Sequence, residues 1–199
     1  MEVCAIPSAD VTSDAIPSFA RPALEELYRA HFDFVWRSVR ALGVEDSAID
    51  DVVQEVFVVA QRRLPSFEGR SSPRTWLSGI LLNVVRRHRR TAKRKSPHEL
   101  SREPPTDVDS LPTAAKSPHD VALANEGARL LQRVLGGLDE KKREVLVLAE
   151  LEEFSAPEIA EVLGIGLNTV YSRLRIAREE FERIAARYRA RERDARRTP

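Results

Sequence analysis

Apolar residues recur every three or four positions along most of the chain, which is the spacing of amphipathic helices. In the first half of the chain this spacing predicts helices over about 22–42, about 47–64 and 73–95. Gly43 is expected to end the first helix. Asp46 or Ser47 is the predicted N-cap of the second helix, and Ser72, which precedes Pro73, is the predicted N-cap of the third.

The helical pattern stops between 96 and 120, where five prolines and five acidic residues fall within 25 residues. A stretch of this length without periodicity is typical of a flexible linker. Residues 1–20 are expected to form a disordered acidic tail, and the Arg-rich residues 186–199 a fraying C-terminal tail. The chain is therefore predicted to be all-α, with two small helical domains at 21–95 and 121–185.

A helix-turn-helix motif is predicted in the second domain. Ser155 and Glu158 form a capping box that opens a short helix, Gly164 turns the chain, and Asn168 is expected to cap a long helix from Thr169. An αα-hairpin without a role in DNA binding would use a similar turn, but the Arg-rich continuation favours DNA. The residues expected to face the major groove are Asn168, Thr169, Tyr171, Ser172, Arg173 and Arg175.

Charge is balanced overall but segregated along the chain. Lys and Arg number 32 against 31 Asp and Glu, which alone argues against a simple polybasic protein. However, nine Lys or Arg and no acid fall between Gly69 and His98, and ten Arg against five acids fall from Arg173 to Pro199. Two basic segments on two helical domains indicate nucleic-acid binding.

Several classes of function find little support in the composition. A single cysteine excludes an internal disulfide, and the four histidines include no pair at metal-ligand spacing. With only 8 glycines and no phosphate-binding loop, we expect no enzyme activity, no cofactor and no metal. No apolar run approaches the ~20 residues of a membrane span, and no signal peptide is expected, so we predict a cytoplasmic protein without membrane insertion.

Four segments in order resemble the extracytoplasmic-function (ECF) group of the sigma-70 family. The resemblance covers about 24–95 and 121–184, and the group likewise has only a linker between its two domains. The matching segments are 51–57 for region 2.2, 67–90 for regions 2.3 and 2.4, 138–145 for region 4.1 and 158–178 for region 4.2.

The resemblance implies a promoter-recognition subunit that binds the β and β′ subunits of the RNA polymerase core, promoter DNA and an anti-sigma factor. Core binding falls on Asp51, Gln54 and Glu55. Recognition and opening of the −10 element fall on Arg70, Arg74, Asn83, Arg86, Arg87 and Arg90. The −35 element is read by the six outward residues of the helix-turn-helix, of which Arg173 is the foremost candidate. Trp76 and Phe67, by contrast, are expected to be mainly core residues.

Four positions depart from the usual family pattern and leave the −35 sequence open. Leu167 and Asn168 stand where a small residue and a glycine are common, Tyr171 where Lys is frequent, and Ile176 where Arg is frequent. The alternative to a sigma factor is a helix-turn-helix regulator that binds duplex DNA without acting as a polymerase subunit.

Overall fold

The computed structural model describes residues 22–95 and 118–197, which contain seven α-helices and no β-strand. The prediction of an all-α fold is confirmed. The expected acidic tail (1–20) and most of the expected linker (96–117) lie outside the described residues. The helices are α1 (Leu24–Ala41), α2 (Ile49–Arg63), α3 (Pro73–Lys95), α4 (Pro118–Gly136), α5 (Glu140–Leu146), α6 (Ala156–Leu163) and α7 (Leu167–Arg197).

Helices α1, α2 and α3 pack against one another as the N-terminal bundle. Each contributes an apolar stripe of fully buried residues, for example Val35, Val56 and Leu77. Ser72 caps α3 as predicted, because its Oγ accepts the amide of Thr75 at 3.0 Å. The start of α2 differs from prediction. A single 3₁₀ turn over Asp46–Ala48 leads into α2, and no side chain caps the helix.

Helices α4 to α7 form the C-terminal bundle, in which α7 packs on α4, α5 and α6. Asp139 caps α5, because its side chain accepts the amide of Lys141 at 3.0 Å. Helix α4 begins at Pro118, inside the expected linker, where a proline fits the first turn of a helix. Between α5 and α6 the chain forms one π-turn, Val147–Leu151, after which Glu153 adopts φ +54°.

The start and the end of α7 both differ from expectation. The helix begins at Leu167, and the carbonyl of Gly166 accepts the amide of Thr169 at 2.9 Å, so Asn168 lies inside the first turn and is not the cap. At the other end the helix continues through 186–197, where a fraying tail was expected. Packing on α4 supports this extension, since Tyr188 lies under the guanidinium of Arg133.

The two bundles share one continuous hydrophobic core, which the sequence did not predict. The π-turn packs on α1, and α6 packs on the N-terminal part of α3. Phe154 of the C-terminal bundle is buried and lies 6.3 Å from Phe34 of the N-terminal bundle, between ring centroids. The described residues therefore form a closed arrangement, and this arrangement decides which predicted site residues are accessible.

Glu153→Gly is expected to raise the free energy of unfolding by about 0.5–1 kcal/mol. A left-handed backbone costs a non-glycine residue about 1–2 kcal/mol, and part of that gain is offset by the greater freedom of glycine in the unfolded chain. Urea unfolding measures the change. Glu161→Gly, at an exposed site within α6, is the control and should lose about 1 kcal/mol. Equal losses in both variants would contradict the strain at Glu153.

Candidate nucleic-acid interface

The outer face of α2 carries the residues expected to bind the polymerase core. Asp51 and Gln54 are exposed on this face. Glu55 is half-buried, because it turns toward α3 and forms an ion pair with Arg87. The face thus presents free acid and amide groups at Asp51 and Gln54, next to a carboxylate that is partly neutralised.

A basic groove runs between α2 and α3 and has a volume of about 420 Å³. Its lining includes three of the predicted −10 residues, Asn83, Arg87 and Arg90. Two further cations, Arg63 and Arg94, line the groove but were not among the predicted site residues. Arg94 continues the row of Arg87 and Arg90 at helical spacing, so the pattern on α3 could have identified it, whereas Arg63 joins the row only through the packing of α2. Val59, Ile80 and Val84 supply an apolar floor.

Such a groove combines the two features that bind a single nucleic-acid strand, which are cationic side chains and apolar surface. Guanidinium groups bind phosphate oxygens, and apolar surface supports unstacked bases. The exposed amide of Asn83 adds a donor and an acceptor that can contact a base edge.

The loop before α3 forms a second, smaller pocket of about 260 Å³. Phe67 is buried and packs on Trp76 with 5.0 Å between ring centroids, in agreement with the expected core role. Arg70 is exposed in this loop and pairs with Glu68 at 3.0 Å. Glu161 of α6 lines the same pocket, so the C-terminal bundle borders this part of the predicted −10 surface.

Arg74, another predicted −10 residue, lies in the contact between the bundles. Its guanidinium stacks on the rings of Phe34 and Phe154 at 4.9 and 4.8 Å and donates to Glu152 at 3.1 Å. Glu152 is fully buried and also accepts from Ser38 at 2.9 Å. Nothing in the sequence pattern pairs Glu152, which belongs to the C-terminal bundle, with this arginine.

Arg86 is engaged in the same way by a second acid of the C-terminal bundle. Its Nε and Nη2 donate to the two carboxylate oxygens of Glu144 at 2.8 and 2.6 Å, and this pairing raises the pKa of Arg86 further. Two turns further along α3, Lys93 donates to Glu140 at 2.7 Å, and that hydrogen bond lowers the pKa of the Glu140 carboxyl. Two of the six predicted −10 residues are therefore paired with acids of the C-terminal bundle.

Arg143 joins the two bundles through main-chain oxygens. The side chain is buried and donates to the carbonyls of Leu42, Gly136 and Leu138 at 3.1, 2.9 and 3.0 Å. These carbonyls lie at the ends of α1 and α4, where a cation is favourable. Burial, and secondly the charge of Arg89, lower the pKa of Arg143 to about 10, so it remains charged at neutral pH.

The helix-turn-helix forms as predicted up to the start of α7. Ser155 and Glu158 form the capping box, and the hydrogen bonds from Ser155 lower the pKa of the Glu158 carboxyl. Gly164 adopts φ +64° at the end of α6, a left-handed conformation that suits glycine. Val170 is fully buried and anchors α7 in the core.

The first turns of α7 bring all six predicted −35 residues together at the surface. Asn168, Tyr171, Ser172 and Arg175 are exposed, and Thr169 and Arg173 are half-exposed. Arg175 pairs with Glu179 at 2.6 Å. No carboxylate within the described ranges forms an ion pair with Arg173. The contact between the bundles thus leaves this face open.

Neither a metal centre nor a membrane span is found in the part of the chain that the structure describes. No three His, Cys, Asp or Glu side chains there lie close enough together to hold a metal ion. None of the described helices combines the length and apolarity needed to cross a bilayer.

Comparisons with known proteins match both bundles. The family models "Sigma-70 region 2" and "Sigma-70, region 4" match residues 27–95 and 128–181. The chain is 33% identical over 142 residues to the ECF RNA polymerase sigma-E factor of Haemophilus influenzae, covering 70% of this chain and 75% of that protein. It is 32% identical over 160 residues to the RNA polymerase sigma factor NccH of Alcaligenes xylosoxydans, covering 80% and 84%.

Solved structures agree with these sequence matches. The structure of CnrH in complex with the cytosolic domain of CnrY matches with a TM-score of 0.59 and 27% identity, covering 81% of this chain and 86% of that one. The sigma factor RpoE of Bartonella quintana, in complex with the anti-sigma factor NepR, shares the fold with a TM-score of 0.60 at 20% identity, covering 79% and 95%. The chain therefore belongs to the sigma-70 family and is an ECF RNA polymerase sigma factor, a subunit that directs the core polymerase to promoters and initiates transcription.

Proposed function

We propose that the two domains expected at 21–95 and 121–185 divide promoter recognition between them. The first binds the polymerase core through Asp51, Gln54 and Glu55 and holds the opened −10 strand through α3. The second reads the −35 duplex through the first turns of α7. The observation that carries the proposal is the basic groove, because Asn83, Arg87 and Arg90 meet there over an apolar floor. In this proposal the chemistry of RNA synthesis belongs to the polymerase, and the chain acts by binding.

The closed arrangement of the two bundles keeps part of the −10 surface unavailable. Arg74 and Arg86 donate to carboxylates of the C-terminal bundle that are almost completely buried. A phosphate must displace these charge-assisted hydrogen bonds before it can bind either arginine. We therefore expect the free chain to bind a −10 strand weakly.

Simultaneous recognition of both promoter elements requires the bundles to separate. Elements centred about 25 base pairs apart lie about 85 Å apart along the duplex. A closed body of this chain length has a radius of gyration of only about 16 Å. Residues 96–117, which join α3 to α4, can reach up to about 75 Å when fully extended. The reach of this segment, added to the width of the two bundles, therefore allows the separation that core binding would impose.

We further propose an anti-sigma factor as a partner of the closed form. The similar structures of CnrH and RpoE were both solved with a bound protein, the cytosolic domain of CnrY and the anti-sigma factor NepR. A protein that stabilises the contact between the bundles would keep Arg74 and Arg86 paired. Location in the cytoplasm, where the polymerase acts, follows from this function.

Glu55→Lys is expected to weaken binding to core polymerase at least tenfold, because it places a cation on a face that presents acids and leaves Arg87 beside a like charge. Fluorescence titration with core polymerase measures the affinity, and urea unfolding should show a change within about 1 kcal/mol, since the ion pair is exposed. Glu45→Lys, an exposed site of the same bundle, is the control with matched charge.

Promoter-specific run-off transcription completes this test with Arg175→Ala, because Arg175 is exposed on the same line of α7 as Asn168, whereas Arg173 lies about 130° around the helix from it. That variant should bind core polymerase normally and lose about 1–3 kcal/mol of −35 recognition, which is roughly a fivefold to 150-fold loss of transcription. The reverse pattern, with Arg175→Ala defective in core binding and Glu55→Lys in −35 recognition, would contradict the assigned roles. Tight binding of duplex DNA without any association with core polymerase would favour the helix-turn-helix regulator instead.

A further inference from the structure

Large apolar side chains are exposed mainly at the start of α7. Among the described residues, those with substantial exposure are Tyr28, Val58, Leu167, Tyr171 and Ile176. The last three fall within the first ten residues of α7, where the side chains of Leu167, Tyr171 and Ile176 are 40%, 55% and 40% exposed. Single exposed apolar residues are common on protein surfaces, but a cluster at a functional surface indicates a binding role.

Two of these apolar residues flank the polar stripe of α7 symmetrically. At 100° per residue, Asn168, Ser172 and Arg175 fall on one line along the helix. Tyr171 lies about 70° to one side of this line and Ile176 about 70° to the other. Leu167 lies more than about 100° away, at the margin of the same surface. A helix that inserts this stripe into the major groove would therefore bring Tyr171 and Ile176 against base edges on either side.

The chemistry of the groove restricts what these side chains can contact. Each base pair presents hydrogen-bond donors and acceptors in the major groove, and thymine alone adds a methyl group. Ile176 carries no polar side-chain atom, so the methyl group is its only matching feature. Tyr171 offers an aromatic face to a methyl group and a hydroxyl that can reach a neighbouring phosphate.

We infer that Tyr171 and Ile176 are specificity-determining residues that read thymine methyl groups on the two sides of the polar contacts in the −35 element. The inference rests on the proposed −35 function of α7 and names the bases that this function selects. A residue with a long cationic side chain at either position would read guanine or a phosphate instead, so the apolar pair distinguishes the promoters of this factor.

The test begins with selection of −35 sequences from a random duplex library by the holoenzyme assembled from the full chain and core polymerase. The expected element contains thymine at two positions, one on each side of its central contacts. Replacement of each thymine by deoxyuridine, which removes only the methyl group, should weaken holoenzyme binding about fourfold per position. Ile176→Ala should abolish the deoxyuridine effect at one position, and Tyr171→Ala at the other.

Leu167→Ala is the matched control, because Leu167 is exposed on the same helix but lies away from the stripe; it should keep both deoxyuridine effects. Selection of a −35 element in which deoxyuridine costs nothing, or in which Ile176→Ala and Tyr171→Ala keep full sensitivity, would overturn the inference and leave the proposed function standing. Failure of the holoenzyme to select any −35 element would instead count against the proposed function.

Discussion

Glu152→Gln is expected to separate the two bundles and to raise the affinity of the free chain for a −10 strand. The Glu152 carboxylate is fully buried and joins Ser38 and Arg74 of the N-terminal bundle. The amide keeps the shape of the side chain but removes the charge that holds the Arg74 guanidinium. The carboxylate is fully buried but the guanidinium is partly exposed, so loss of this charge-assisted hydrogen bond should cost the closed form about 2 kcal/mol and leave the open form unaffected.

Two measurements test this expectation. Energy transfer between dyes on exposed sites of the two bundles should fall, and a single-stranded oligonucleotide should bind tenfold or more tightly without core polymerase. Glu153→Gln, at the exposed neighbouring position, should change neither. Unchanged energy transfer and unchanged oligonucleotide binding in Glu152→Gln would show that this carboxylate does not hold the closed form.

Arg143→Met should produce the largest loss of stability among these variants, about 3–4 kcal/mol. It removes three hydrogen bonds from a charged donor and leaves the carbonyls of Leu42, Gly136 and Leu138 without that donor. Methionine fills much of the same volume, so the loss reports on the hydrogen bonds more than on a cavity.

Urea unfolding measures this loss, and Lys141→Met is the control because Lys141 is exposed on the same helix. Since the three carbonyls belong to both bundles, Arg143→Met should lower the stability of the whole closed body in one transition. A loss below about 1 kcal/mol would mean that water replaces the guanidinium without cost, contrary to the burial of the site.

Local features of this fold could be predicted from local sequence signals. The apolar spacing identified the helices, and the caps at Ser72, Asp139 and Ser155 follow from side chains that reach amides two or three residues away. The predicted cap at Asn168 was wrong because the backbone of Gly166 already supplies the first carbonyl of α7. Helix propensity could not distinguish a helix capped at Gly166 from one capped at Asn168.

The contact between the bundles could not be predicted in the same way. Glu152 and Arg74 are separated by 78 residues, and Glu144 and Arg86 by 58. Helical periodicity shows which face of a helix is apolar, but it does not show which charged residue will meet which partner across such a distance. The position of Arg63 in the basic groove depended in the same way on how α2 packs against α3.

The unbroken length of α7 has a mechanical consequence for promoter reading. From Leu167 to Arg197 the helix is a stiff rod about 46 Å long, with its DNA-facing turns at one end and its Arg-rich turns at the other. A tilt of about 5° about one end moves the other end by about 4 Å, which exceeds the spacing of adjacent base pairs. The packing of Tyr188 against Arg133 of α4, two-thirds of the way along the rod, therefore fixes the angle at which Ser172 and Arg175 approach the DNA.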